Sequence, residues 1–372
     1  MAPWFISVSS LINGGKKMAE EEKKLNIPNL QILGQDDSPL FQGAGSDAKS
    51  VTYPKKFANH PGFKRVFQPG KLTFGLMAPF KGYPDSQIPD VSDLFDCAKA
   101  AEAAGFDALW IRDVPFYDPY FGDVGQGLDP IATLGALAMT TDKIVLGSAG
   151  FILPERNPIH VAQAAVSIDR LSNHRFLLGL VSGDRKNEFK AFGRDWNERS
   201  EIFREGWDLT KKSLTHPNRL HFSGNYYSKL TGSLSVVPQL EEDYSMPLVA
   251  IGRCRQELSW LANEPDAWIW HGIGEDETAP AVKKLNDLNE DGNWHPFGYQ
   301  NFVELLDDPD APCELFNKIY LRGGAKSMAQ FWRKQRKEGL NHVIINFKPT
   351  KRPIDDCLAD MEKYVFPEVN KD

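Results

Sequence analysis

The sequence predicts an α/β chain folded as a (β/α)8 TIM barrel with an inserted hairpin and an N-terminal extension. Three observations carry that prediction. First, short apolar runs alternate with amphipathic runs of helical period from Leu72 to Val365. Second, one unit is complete in a single stretch. Ile144–Ala149 and Phe176–Val181 are apolar, and between them Ile159, Ala162, Val166 and Leu171 recur on one helical face. Strand, helix, strand over so short a span makes the two strands parallel. Third, the alternation repeats through eight strands, and eight such units close most simply into a barrel. A doubly wound open sheet is the competing arrangement.

The elements follow in order. Leu72–Ala78 is the first strand, Val91–Ala104 a helix stopped by Gly105, and Ala108–Arg112 the second strand. Asp113–Asp129 is a long loop rich in glycine, proline and aromatic residues, a type that is usually functional. Pro130–Thr141 is a helix with proline in its first turn. The unit described above comes next, then a helix over Glu198–Leu214. His221–Ser223 and Tyr226–Ser228, joined by Gly224-Asn225, read as the inserted hairpin. Pro247–Gly252, Ala267–His271, Tyr299–Leu306 and His342–Phe347 are the remaining strands. Their helices are Glu257–Ala262, Ala279–Glu290, Ala325–Glu338 and Ile354–Val365. Residues 1–70 lack sustained periodicity and are expected to form an arm that wraps the domain or is partly disordered. The barrel domain is set at residues 59–372 and the extension at 1–58. Met1–Ile12 is apolar but has no basic segment before it, so it reads as an extension rather than a signal or transit peptide.

Composition narrows the function. The chain has 372 residues and a net charge of −7, with pI near 5.7. That balance lacks the clustered basic surface a nucleic-acid binder needs. No apolar run reaches membrane-spanning length, so no membrane partner is expected. The four cysteines are scattered, without a CxxC pair. This suits the reducing cytoplasm and argues against a disulfide framework or a zinc site.

Strand ends carry small or turn-forming residues, Ser148-Ala149-Gly150 and Ser182-Gly183-Asp184, which let a ligand approach the backbone. The segments GFDALWIRD, LDPIATLGALAMTTDKIVLGSA, PERNPIHVAQAAVSIDRLS and RFLLGLVSGDRKNEFKAFG, in that order, resemble the bacterial-luciferase-like superfamily of flavin-dependent monooxygenases. The likeness runs from Asn59 to Pro367. It implies an FMN site at the C-terminal mouth of the barrel. It also implies a homodimer and a separate reductase that delivers reduced FMN, which then reacts with oxygen and a small organic substrate. Some branches of the superfamily use a deazaflavin instead and transfer hydride without oxygen.

The barrel rule places function at strand C-termini. Gly252, Arg253, Cys254, Arg255 and Gln256 lie between a strand end and a helix start, where unpaired N–H groups and arginine forks suit a phosphate. The matching stretch of the relatives holds the FMN phosphate. The alternative is that both arginines are surface residues. Ser148 and Ala149, with Ala78, offer a flat rest for the isoalloxazine ring, or simply tight packing. By resemblance a strained or cis peptide is expected at Ser148-Ala149. Ser182, Gly183 and Asp184 suit ribityl hydroxyls, unless Asp184 caps the next turn. Asn157 and Arg156 are placed near the flavin pyrimidine edge by resemblance. Arg156 suits the anionic side of the reduced ring, or else pairs with Glu155 or Asp169. His271 ends the sixth strand beside Trp270 and is the best-placed proton handler. No metal site is expected. The chain departs from light-emitting relatives at Asp113-Val114-Pro115, where they carry histidine. Bioluminescence is therefore not expected. A deazaflavin-dependent dehydrogenase and a non-catalytic flavin-binding protein remain as alternatives. A barrel hydrolase would need a metal cluster or a nucleophile–base pair that the sequence does not offer.

Overall fold

The computed structural model describes residues 52–119, 121–227 and 229–372. Eight parallel strands close into a barrel: β1 Thr73–Met77, β2 Ala108–Ile111, β3 Val145–Ser148, β4 Phe176–Val181, β5 Leu248–Ile251, β6 Ala267–Trp270, β7 Phe297–Leu305 and β8 His342–Asn346. Each pairs with the next. The pairing of Thr73 with His342 joins β8 back to β1 and closes the ring. The helices are α1 Pro61–Val66, α2 Leu94–Ala103, α3 Pro130–Thr140, α4 Pro158–Leu171, α5 Lys186–Ala191, α6 Arg199–Thr215, α7 Leu258–Leu261, α8 Thr278–Leu288, α9 Ala325–Lys337 and α10 Ile354–Asp360. Among the described residues no helix is long and apolar enough to cross a membrane.

Strand alternation divides the core into two layers. Phe74, Leu76, Leu109, Leu146, Leu178, Trp268 and Val343 face outward and pack under the helices. Met77, Ala108, Trp110, Val145, Leu177, Val249, Ile269 and Ile344 face inward and fill the barrel. Trp110 takes the most room. A Cβ at Gly75 would lie 2.4 Å from its Nε1, and one at Gly147 would lie 2.4 Å from its Cε3. Its N–H donates to His342 Nε2 at 3.0 Å. Indole nitrogen is a donor only, so His342 accepts there and carries its own proton on Nδ1, 2.8 Å from Thr73 Oγ1. Burial accordingly pushes His342 down to about 3.

Residues 52–70 are not a loose arm. Phe57, Phe63, Val66 and Phe67 join the inward core. Thr73 Oγ1 donates to Val66 O at 2.6 Å, which seats α1 across the N-terminal end of the barrel. Residues 1–51 of the expected extension lie outside the described residues.

The hairpin exists but is shifted. His221–Phe222 pairs antiparallel with Leu230–Thr231, further along than expected. The Gly224-Asn225 pair is not its turn, because Glu205 of α6 takes the N–H groups of Asn225, Tyr226 and Tyr227 at 2.7, 2.9 and 2.7 Å. Of the expected second arm, Ser228 lies outside the described residues. A second hairpin, Glu314–Phe316 with Tyr320–Gly323, was not expected and extends the sheet beside β7.

Candidate active site

Inward alternation at the strand C-termini brings Arg112, His271, Gln300, Phe302 and Asn346 around one cavity of about 20 Å³, closed on one side by Ile319. That is room for about one water. Two of its side chains have unsatisfied polar atoms. Both amide atoms of Asn301, which is 2% exposed, are buried without a hydrogen bond, and so is Nδ1 of His271. Burial lowers the His271 pKa, and Asp184 only partly opposes it. His271 is therefore a neutral imidazole at neutral pH, with one nitrogen to accept and one to donate.

The Asp113–Asp129 loop folds over this cavity and anchors on Asp123. The Asp123 carboxylate lies 2.8 Å from Arg112 Nη2 and 3.1 Å from Lys348 Nζ. It also accepts from Tyr83 Oη at 3.0 Å and from Gly125 N at 3.2 Å. Burial alone would raise its pKa, but Arg112 and then Lys348 outweigh burial and hold it well below the usual carboxylate range. Arg185, 7% exposed, donates to the Asp123 carbonyl at 2.8 Å and stacks 4.9 Å from the Phe121 ring.

Beside this lies an acidic pair. Burial, then the mutual repulsion of Glu155 with Glu188, pushes Glu155 up to about 8. Burial pushes Glu188 up to about 7 although Arg185 opposes it. Both oxygens of Glu188 lack hydrogen bonds, and Arg185 Nη1 approaches only to 3.9 Å.

The expected site residues divide. Ala149 packs with the inward core and His271 faces the cavity. Ala78 and Trp270 belong to the outward layer, because alternation turns them away from the mouth. The Ser148 hydroxyl donates to Gly179 O at 2.9 Å and accepts from Gly179 N at 2.8 Å, so it bridges β3 to β4 and has little left for a ligand. Among the described residues the cis peptides are Ala78-Pro79 and Val237-Pro238, and Ser148-Ala149 is not one of them.

Arg156 is a clamp on Asp113, not on Glu155 or Asp169: its Nε and Nη2 lie 2.6 and 2.7 Å from the two Asp113 oxygens. Asn157 is exposed, and its side chain accepts from Ile159 N at 2.9 Å as the cap of α4. Ser182 and Gly183 are buried at the end of β4, with Gly183 at φ 78. Asp184 is exposed, and Arg185 rather than Asp184 stands at the N-cap of α5.

The Gly252–Gln256 turn departs most from expectation. The helix after it, α7, has only four residues and starts at Leu258, too short and too distant to lend a dipole to an anion at Arg253. The turn is stitched to α6 instead. Gln256 Nε2 donates to Ser200 O at 3.2 Å, and Ser200 Oγ donates to Arg255 O at 3.0 Å. Arg255 is exposed, and Arg253 Nε donates to Gln256 O at 3.3 Å. The Cys254 thiol is buried against Ile251 O at 3.3 Å, and burial raises its pKa, which leaves it unreactive.

Sequence reasoning missed Arg112, Asn301, Asn346, Tyr83, Asp123 and Lys348. Arg112 and Asn346 were recoverable, because counting by two from Trp110 and Ile344 places both inward at the mouth. The partners of Asp123 come from four separate segments and leave no local signal.

A larger cleft of about 630 Å³ opens at the opposite end, lined by Lys56, Lys211, Tyr244, Met246 and Asp266 among others. It sits at strand N-termini, the face that barrels use for stability rather than chemistry. A buried chain stands beside it: His60 Nε2 lies 2.7 Å from Tyr244 Oη, which donates to Asp169 at 3.0 Å, and His174 Nδ1 lies 2.8 Å from the same carboxylate. No group of three or more His, Cys, Asp or Glu side chains among the described residues stands as a metal site.

The family model described as luciferase-like monooxygenase matches residues 72–345. An F420-dependent glucose-6-phosphate dehydrogenase of Amycolatopsis mediterranei is 32% identical over 151 residues, 40% of this chain and 44% of that protein. The protein of the same description from Mycobacterium avium is 30% identical over 235 residues, 60% of this chain and 68% of its own length. The alkanal monooxygenase beta chain of Photorhabdus luminescens is 29% identical over 126 residues, 33% of this chain and 37% of that one. The first of these matches thus spans under half of the relative's length. Among solved structures, an F420-dependent secondary alcohol dehydrogenase superposes with a TM-score of 0.64 at 15% identity, over 81% of this chain and all of the other. A monooxygenase from Streptomyces bottropensis gives 0.65 at 14% identity, over 80% and 99%. These two likenesses show the TIM-barrel fold.

Proposed function

The chain belongs to the luciferase-like monooxygenase family, and from that premise we propose that it is an oxidoreductase working with a flavin-type coenzyme at the C-terminal mouth of its barrel. The observation that carries this reading is the buried Nδ1 of His271, which faces the strand-end cavity and has no partner. Each such orphan costs about 1–3 kcal/mol. A chain that keeps one at a strand-end cavity has a use for it, and a ring bearing carbonyls and ring nitrogens would satisfy it.

When bound, the coenzyme would supply a redox-active flavin-type ring, an electron donor to oxygen in a monooxygenase or a hydride acceptor in a dehydrogenase. The chain contributes the surroundings. Ala149, Gln300 and Asn346 would hold the ring. Neutral His271 can take up or release a proton at a ring nitrogen. The Asp113–Asp129 loop would close the mouth against water. The cavity of about 20 Å³ is far below the few hundred Å³ that coenzyme sites occupy, so the loop must swing outward for loading.

Within this reading the first choice is an FMN-dependent monooxygenase. It would take reduced FMN from a separate reductase and use oxygen to oxidise a small organic substrate, in line with the family description. The second is a deazaflavin-dependent dehydrogenase, favoured by the two relatives described as F420-dependent. Parallel anaerobic titrations with FMN and F420, followed by absorbance and fluorescence, separate them. Selective saturation by FMN supports the first reading and selective saturation by F420 the second. No saturation by either, oxidised or reduced, rejects both.

A further inference from the structure

The cluster around Asp123 carries more positive charge than the chain itself uses. Arg112, Lys348 and Arg185 converge on one loop residue, and their side chains are 16%, 19% and 8% exposed. One carboxylate, Asp123, answers Arg112 and Lys348 together. Arg185 faces Glu188 only at 3.9 Å, and its Nη1 makes no hydrogen bond although buried. Nε of Arg112 is likewise buried and without a partner. Of the neighbouring acids, Asp113 is engaged by Arg156 and Asp118 by Asn187 at 3.0 Å, while burial raises Glu155 and Glu188 toward their neutral forms. Buried cations are expensive unless each is paired and hydrogen-bonded. A cluster with unfilled guanidinium donors is therefore shaped for a larger or more highly charged anion than one carboxylate.

The residue that fills it is carried on a loop between two glycines. Asp123 lies between Gly122 at φ 60 and Gly125 at φ 64. Those backbone conformations admit glycine readily and let the chain double back. At Gly125 the backbone comes so close that a Cβ would stand 2.9 Å from Arg112 Nε. Two of the anchors stand beside barrel strands, Arg112 directly after β2 and Lys348 two residues after β8. The arrangement is a cationic cradle holding an anion on a glycine-flanked loop, next to the cavity that His271 lines.

We propose that Arg112, Arg185 and Lys348 form the subsite that recognises an anionic group, carboxylate or phosphate, on the substrate, and that Asp123 is the internal anion this group displaces as the loop opens. This rests on the reading that the reaction takes place at the same mouth. It narrows the substrate from a small organic molecule to one bearing an anionic group. It also gives the loop a trigger: the ligand that needs the cradle is the one that frees it.

The test titrates inorganic phosphate, in phosphate-free buffer, into the wild type, Asp123→Asn and Asp123→Asn/Lys348→Met by calorimetry, with circular dichroism melts as the check on folding. Removing the internal anion should tighten phosphate binding at least tenfold, and the added Lys348→Met should reverse that gain. Phosphate affinity within twofold across the three proteins would overturn the proposal. Should Asp123→Asn fail to fold, the wild type decides. Saturating phosphate should then raise hydrogen exchange across residues 113–129, and unchanged exchange contradicts the proposal.

Repeating the Asp123→Asn titration on protein saturated with its coenzyme tests the assignment to substrate. Undiminished phosphate affinity supports it. Competition would give the cradle to the coenzyme's own phosphate and overturn it. If no coenzyme binds, the proposed function fails, yet the phosphate titration still judges the cradle.

Discussion

Arg156 and Asp113 form a two-pronged ion pair across the barrel mouth, with Nε–Oδ2 at 2.6 Å and Nη2–Oδ1 at 2.7 Å. The pair ties the residue following β2 to the segment following β3, and Asp113 also accepts from Ile152 N at 3.1 Å. Its carboxylate side chain is only 4% exposed. Arg156→Ala leaves that charge buried without a counter-ion, which costs about 3 kcal/mol. Urea unfolding should show a loss near that size. A loss under about 1 kcal/mol would mean the fork is not a structural clamp.

Ser148→Ala separates packing from ligand contact. The substitution strips Gly179 of the partners for its N–H and its C=O, and two orphaned buried groups cost about 1–3 kcal/mol each. The melting temperature should fall while coenzyme affinity stays within twofold. A large loss of affinity in a protein of unchanged stability would return Ser148 to the binding site.

His60 makes stability depend on acid. Its Nδ1 accepts from Phe63 N at 3.0 Å, so that nitrogen carries no proton. Burial, with His174 nearby, lowers its pKa to about 3, against about 6.5 in the unfolded chain. Between those values the unfolded state takes up a proton that the folded state refuses. Stability from this group is therefore full above pH 6.5 and is lost as pH falls. His60→Asn keeps an acceptor for the cap and removes the titration. The wild type should lose about 2 kcal/mol more than the variant between pH 6.5 and 4.5, measured by urea unfolding. Parallel pH profiles would contradict the buried neutral imidazole.

Much of the barrel was legible because its strands announce themselves. The Phe176–Val181 run is one apolar block and was bounded to the residue. The strand Phe297–Leu305 begins two residues before its expected start at Tyr299, since Gly298, Gln300 and Asn301 interrupt its apolar run. The plug helix Pro61–Val66 is too short to show a period, and its Pro-Gly start looks like a turn. Only the inward core explains why Phe57, Phe63 and Phe67 are buried.

At the mouth, the sequence marked the right strand ends but not the right faces. Trp268 and Trp270, two residues apart on the strand, share a face, and that face is the outward one. His271, one residue on, is therefore the inward residue. Long-range ion pairs stayed hidden, because Arg156 and Asp113 are 43 residues apart and nothing local distinguishes Asp113 from the nearer acids Glu155 and Asp169.

Hydrogen exchange with and without saturating coenzyme tests the central claim most directly, that the coenzyme sits at the C-terminal mouth. The account predicts slower exchange at residues 145–152 and 267–274, around Ala149 and His271, with altered exchange across residues 113–129. Protection confined to residues 241–248, beside the cleft of about 630 Å³ at the opposite end, would contradict it, as would the absence of saturable binding.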